Sequence, residues 1–194
     1  MLRKNQQADF GEYHYIAGVD EAGRGPLAGP VVVAAVILDS TANLPGLNDS
    51  KKLSAKKRNI LFTEINKKAT VGIGKANNQE IDKINIRNAT FLAMKRALDD
   101  INREIDYVLV DGNAAIPDLK IEQRTVVDGD SKINAISAAS IIAKVTRDKI
   151  IFDYAEQYPE YNFKSNKGYG TAEHIEALEK YGSSPIHRKS FKRV

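Results

Sequence analysis

The stretch "YIAGVDEAGRGPLAGPVVVAAVIL", residues 15–38, sets two apolar runs around a polar centre. Two adjacent carboxylates, Asp20 and Glu21, close the first run, and Gly23-Arg24-Gly25 turns the chain before a second, β-branched run. The glycines have a simple steric reading, since they let the backbone turn or lie against a ligand. The acids do not: a carboxylate gains nothing from apolar surroundings, so a positive partner is required there. On a regular strand the two side chains would face opposite sides of the sheet. Joint action by Asp20 and Glu21 therefore predicts that the strand breaks at this point.

Working outward, residues 15–19 and 30–38 read as strands, and the unbroken second run suggests burial on both faces. Residues 70–77 are a candidate third strand. Between them, Ser54 is a helix N-cap, with Ile60, Leu61 and Ile65 expected on one face. Residues 79–102 read as a short helix followed by a longer one, with Ile86, Ala89, Leu92, Ala93 and Leu98 turned inward. "DYVLVDGN" is a buried strand ending at Asp111, and "IEQRTVVDGD" another ending near Asp130. A helix from Asn134 follows, small-sided in its first turns so that it can approach the sheet, and Gly182 with Pro185 stops a last helix. The order implies a mixed sheet covered by helices, in one domain spanning 1–194 with a small helical extension from about residue 160.

Composition narrows the function classes. A chain of 194 residues with 42% hydrophobic and 28% charged residues can bury a real core. With no Cys there is no thiol nucleophile or thiolate zinc site, and His14, His174 and His187 lack ligand spacing, so any metal must be oxygen-bound. The longest apolar run, Val31 to Leu38, is far short of a membrane span, and the first residues lack a secretory signal. A cytoplasmic monomer without membrane association is expected. The formal net charge of +4 leans towards a polyanionic partner. Basic residues gather at Lys51, Lys52, Lys56, Lys57 and Arg58, at Lys164 and Lys167, and in the tail "HRKSFKRV".

Four acids share one description: Asp20, Glu21, Asp111 and Asp130 each close an apolar run. Singly, Asp111-Gly112 and the "DGD" at 128–130 pass as turns. Together they point elsewhere, because two carboxylates about 4 Å apart repel by roughly 4 kcal/mol at an effective dielectric near 20. Protons or divalent cations must relieve that repulsion. All-oxygen ligands suit Mg²⁺ or Mn²⁺, whose natural use is phosphoryl chemistry by paired ions. "GRGPLAG" has the wrong spacing for a dinucleotide loop, and "DGDSKIN" lacks the Gly and Glu of a calcium loop.

Taken in order, "GVDEAGRGPLAGP", "LNDSKKLS", "VLVDGN", "GDSKINAISAASIIAKVTRD" and "NKGYGT" resemble the type 2 ribonucleases H, the bacterial ribonuclease HII branch, over some nine tenths of the chain. The resemblance implies an α/β ribonuclease H-like fold, a five-stranded mixed sheet flanked by helices. It implies cleavage, dependent on Mg²⁺ or Mn²⁺, of RNA/DNA hybrids and of duplex DNA containing ribonucleotides, cut 5′ to a lone ribonucleotide to leave a 3′-hydroxyl and a 5′-phosphate. A role in ribonucleotide removal during repair and replication goes with that activity. By motif, Asp20, Glu21, Asp111 and Asp130 would be the catalytic metal ligands. Gly23, Arg24 and Gly25 would read the ribose 2′-hydroxyl, the atom that separates RNA from DNA. Tyr169 would pack on the neighbouring deoxyribose. Arg24, Lys51, Lys52, Lys144, Lys167 and Arg188 are candidate phosphate contacts, and Ser137, Ala138, Ala139 and Ser140 read as packing residues. Two positions depart from the pattern: Asp128 stands where relatives carry Lys, and Asn166 where a His is common.

Overall fold

A computed structural model describes residues 13–39, 41–47, 50 and 53–194. Five strands form one sheet, β1 (Ile16–Ala22), β2 (Val31–Leu38), β3 (Ala69–Ala76), β4 (Tyr107–Asp111) and β5 (Gln123–Val126), in the order β3-β2-β1-β4-β5. β1 and β3 each run antiparallel to β2 between them, while β4 lies parallel to β1 and β5 parallel to β4. This is the mixed sheet expected from the sequence.

Helices cover both faces. On one lies α2 (Asn78–Asp99), and on the other α1 (Ala55–Lys68) and α4 (Asn134–Gln157). β2 supplies both cores, Val31, Val33, Ala35 and Ile37 to the α2 side, Ala34 and Val36 to the α4 side. Its uninterrupted apolar run is thereby explained. Ser54 caps α1 by accepting from the Lys57 N–H. Along α1, Leu61 and Ile65 are buried but Ile60 is 56% exposed, because it sits one residue off the apolar stripe. α2 begins with a capping box between Asn77 and Glu80 and kinks at Asn85 (φ 65°), which separates the short and long helices read from the sequence.

Small side chains at Ala135, Ala138, Ala139 and Ala143 let the start of α4 approach the sheet. Beyond α4, a 3-10 turn at Pro159–Tyr161, the one-turn helix α5 (Phe163–Asn166) and α6 (Ala172–Tyr181) enclose a third apolar cluster with Leu27, Ala28 and Ile151. The extension thus closes on the loop between β1 and β2. Among the described residues no helix is long and apolar enough to cross a membrane.

Candidate active site

Strand register brings the acids together. The last paired residues of β1 and β4 are Val19 and Val110, and the next residue on each strand is an acid, Asp20 and Asp111. Neighbouring strands lie about 4.8 Å apart, so the two side chains start from adjacent backbone positions. The expected strand break is absent. Asp20, Glu21 and Ala22 stay in register with Ala34, Val33 and Val32, because β2 continues to supply hydrogen-bond partners after β4 has ended. Asp20 therefore turns towards Ser140 of α4, whereas Glu21 reaches the cleft shared with Asp111 and α2. Two clefts of about 340 and 420 Å³ flank this edge, and Glu21 and Arg24 line both.

Asp20 is only 6% exposed, and its carboxyl is raised well above the usual carboxylate range. Burial is the largest cause, followed by the charges of Glu21 and Asp111. Opposing these, the Ser140 hydroxyl and the Glu21 N–H (2.7 Å) bond to it. Ser140 in turn pairs with Ser50, Oγ to Oγ 2.8 Å. Ser140 is therefore more than the packing residue read from the sequence: it holds the most buried acid of the cluster. Ser137 bonds the Asp130 carbonyl, while Ala138 and Ala139 pack as expected.

Asp130 does not end a strand. β5 stops at Val126, and the chain turns through Asp128 (φ 55°) into the one-turn helix α3 (Gly129–Lys132). Asp128 is exposed and Asp130 buried, so Asp130 is the inward acid of the pair. Its segment is tied to the cluster by the Gly129 N–H, which donates to Asp111 Oδ1 at 2.7 Å. Among the described residues no three His, Cys, Asp or Glu side chains gather about a single point. The acids meet pairwise, Asp20 with Glu21 and with Asp111. Carboxylate oxygens beside serine hydroxyls are the donor set of a hard divalent cation, and a cation there would offset both the burial of the Asp20 charge and its repulsion from Glu21 and Asp111.

The loop after Glu21 is built from beneath. Arg188 is fully buried, and its guanidinium donates to the carbonyls of Gly29 (2.9 Å), Arg24 (2.9 Å), Pro26 (2.8 Å) and Gly23 (2.6 Å). It does not reach solvent to contact a phosphate, because it is fully buried and four of its five N–H donors go to backbone. Burial and neighbouring Arg147 lower its pKa to about 9, which leaves it charged at neutral pH. Arg147, also buried, donates to the carbonyls of Pro30, Lys167 and Ala28, each at 3.1 Å. Gly23 and Gly25 have different reasons. Gly23 has φ +99°, and a Cβ there would lie 2.1 Å from Arg147 Nε; a Cβ on Gly25 would meet only the Tyr169 ring, at 3.6 Å. Gly23 is fixed by the protein, whereas Gly25 faces the cleft.

Tyr169 is 46% exposed on the same cleft, so it is no core tyrosine. Arg24 lies 3.3 Å from Glu21. Lys144 lines the cleft and pairs with Asp148 at 2.8 Å. The Lys167 ammonium sits 3.5 Å from the Phe152 ring centroid, and burial lowers its pKa. Lys51 and Lys52 fall outside the described residues. Asn166 is buried, donating to the Tyr161 carbonyl and accepting from the Gly168 N–H, which makes it a support for the turn before Tyr169.

A family model described as ribonuclease HII matches residues 17–194. The chain belongs to the ribonuclease HII family. A ribonuclease HII of Clostridioides difficile is 57% identical over 189 residues, 97% of this chain and 73% of the relative. One from Endomicrobium trichonymphae is 54% identical over 183 residues, 94% of this chain and 87% of the relative. In structure, the ribonuclease H2 of Pyrococcus horikoshii is similar with a TM-score of 0.78 at 28% identity, covering 93% of this chain and 95% of that one. Ribonuclease HII proteins are ribonuclease H endonucleases, and the chain is one of them. The ribonuclease H-like sheet expected from the motifs is the sheet observed.

Proposed function

We propose that this endonuclease hydrolyses the RNA strand of RNA/DNA hybrids and incises duplex DNA on the 5′ side of a single embedded ribonucleotide, leaving a 3′-hydroxyl and a 5′-phosphate. One observation carries the reading: at the carboxyl ends of β1 and β4, Asp20 is paired with Glu21 and with Asp111, and Asp20 and Glu21 line the cleft that also holds Gly25 and Tyr169. The acids address the phosphodiester, and the loop and ring address the sugar beside it.

In this reading Asp20, Glu21, Asp111 and Asp130 hold Mg²⁺ or Mn²⁺. Such ions, when bound in a pair, activate a water and stabilise the leaving oxygen. The chain's own groups do the rest. Gly25 lets the backbone approach the 2′-hydroxyl, and Arg24 and Lys144 offer charge to the flanking phosphates. Tyr169 presents an aromatic face to the next sugar. All these parts lie on one chain in one domain, so a monomer suffices, and ribonucleotide removal from DNA is the cellular use that follows.

The test is a DNA duplex with one ribonucleotide, incubated with Mg²⁺ or Mn²⁺. A single cut 5′ to the ribonucleotide is expected, abolished by a chelator. Equal cutting of the all-DNA duplex would overturn the proposal.

A further inference from the structure

Two buried imidazoles lie outside the acid cluster. His174, on α6, and His187, in the tail, are both fully buried, with ring nitrogens Nε2 to Nε2 at 2.9 Å. Burying two polar rings is costly unless every nitrogen has a partner. Each has one, and the partners fix the protons. The Ser184 N–H donates to His187 Nδ1 at 2.9 Å, so that nitrogen is bare and the proton of His187 sits on Nε2. From there it is donated to His174 Nε2, which leaves the His174 proton on Nδ1. That proton is donated to the Tyr169 carbonyl at 2.8 Å. Both rings are neutral in this arrangement, as burial favours. Tyr161 and Phe163 pack against the rings and hold their orientation.

The chain of bonds has a direction and an end point. It starts at the Ser184 backbone, and it stops on the one residue of this region whose ring faces the cleft. The same carbonyl also accepts from the Thr171 N–H at 2.8 Å, while the Tyr169 N–H donates to Asn166. Tyr169 thus has its backbone held at both ends and its ring presented to substrate.

We propose that His174 and His187 are positioning residues, a relay of fixed protons that sets the Tyr169 backbone and through it the preference for an RNA-to-DNA junction. The proposal rests on the role assigned to Tyr169 above. Neither histidine touches substrate, and the pair acts only through the carbonyl it holds.

The test compares two variants of one position. His174→Asn places an amide N–H where Nδ1 was and keeps the donation to Tyr169; His174→Gln places it at the Nε2 end and loses that donation. The readout is the ratio of kcat/KM on a single-ribonucleotide duplex to kcat/KM on a uniform RNA/DNA hybrid, with melting temperatures alongside. His174→Asn is expected to keep the ratio, and His174→Gln to lower it about tenfold, the equivalent of one hydrogen bond. Tyr169→Ala is the reference. The double variant His174→Gln/Tyr169→Ala is expected to fall no further than Tyr169→Ala alone.

General destabilisation would lower both substrates together and leave the ratio unchanged, and that result would overturn the relay. Equal ratios for the Asn and Gln variants would do the same. If Tyr169→Ala itself leaves the ratio untouched, the role of Tyr169 fails and the relay falls with it; a shift in Tyr169→Ala without one in His174→Gln refutes the relay alone. Should the His174 variants not fold, His187→Asn removes the donor to His174 Nε2 while keeping the Ser184 bond. An unchanged ratio in that folded protein would also overturn the relay. Nitrogen-15 shifts of the His174 ring give a reading independent of turnover, with a protonated Nδ1 expected and a bare one contradicting the assignment.

Discussion

Asp20 and Asp111 occupy equivalent places on two parallel strands, one step past the last backbone pair, Val19 and Val110. Burial raises the proton affinity of Asp20, and the charges of Glu21 and Asp111 add to the effect. Because the folded protein binds this proton more tightly than the unfolded chain, cation-free protein is stabilised at low pH. That contribution is lost as pH rises from the unfolded value near 3.8 through the raised folded value. Asp20→Asn should remove this slope and raise the melting temperature in chelator at pH 7 by roughly 2–4 °C, about 1 kcal/mol in a chain of this size, while abolishing incision. Thermal melts in chelator from pH 4 to 8, paired with the incision assay, check both parts.

Gly23 and Gly25 should separate stability from activity. Gly23→Ala puts a methyl group into Arg147 at a positive φ and is expected to destabilise by about 1–3 kcal/mol. Gly25→Ala meets nothing closer than the Tyr169 ring and should change urea stability by about 0.5 kcal/mol or less, yet lower incision at least about tenfold. Urea midpoints and kcat/KM for the two variants distinguish a buried constraint from an open contact. Equal stability loss in both would contradict the assignment.

Arg188→Lys tests whether a charge alone can hold the loop. An ammonium cannot reach the four carbonyls that the planar guanidinium serves, and each buried carbonyl left unpaired costs about 1–3 kcal/mol. We expect a loss of about 3 kcal/mol or more by urea denaturation. A near-neutral result would show that the loop holds its shape without this clamp.

His187 makes acid destabilising. Burial, with the neighbouring His174, lowers its folded pKa from 6.5 to about 4, so the folded state binds this proton less readily than the unfolded chain. Its stabilising contribution is full above pH 6.5 and is lost as pH falls towards 4, at up to about 1.4 kcal/mol per pH unit. Urea midpoints at pH 7 and 4.5 should differ accordingly, and His187→Gln should flatten the difference between them.

Much of the fold was legible because its signals are local. The apolar run 31–38, the Ser54 cap and the small-sided start of α4 each appear in the structure close to where the pattern places them. Asp111 was legible for the same reason, as a strand-end carboxylate, and Asp20 and Glu21 as acids that interrupt an apolar run. What local pattern misses is pairing. The strand continues through Asp20 and Glu21 because β2 is there to pair with it, and Asp130 enters from a helical turn rather than a strand tip. Arg188 looked like one more basic residue of a charged tail, since nothing near it in sequence announces that its acceptors lie about 160 residues earlier. Ser140 was hidden among small residues that do pack, and its hydroxyl was the one signal that could have marked it.

The reach of Arg188 sets an order of events in making the molecule. The carbonyls it holds belong to residues 23–29, among the first parts of the described chain to be synthesised, while Arg188 is among the last. Protease should therefore cut within 23–30 far faster in a chain ending at residue 186 than in the full one. A chain that stops short of Arg188 carries Asp20 and Glu21 but lacks the clamp on the backbone that follows them, so these acids and the shape of the loop beside them are secured at opposite ends of synthesis.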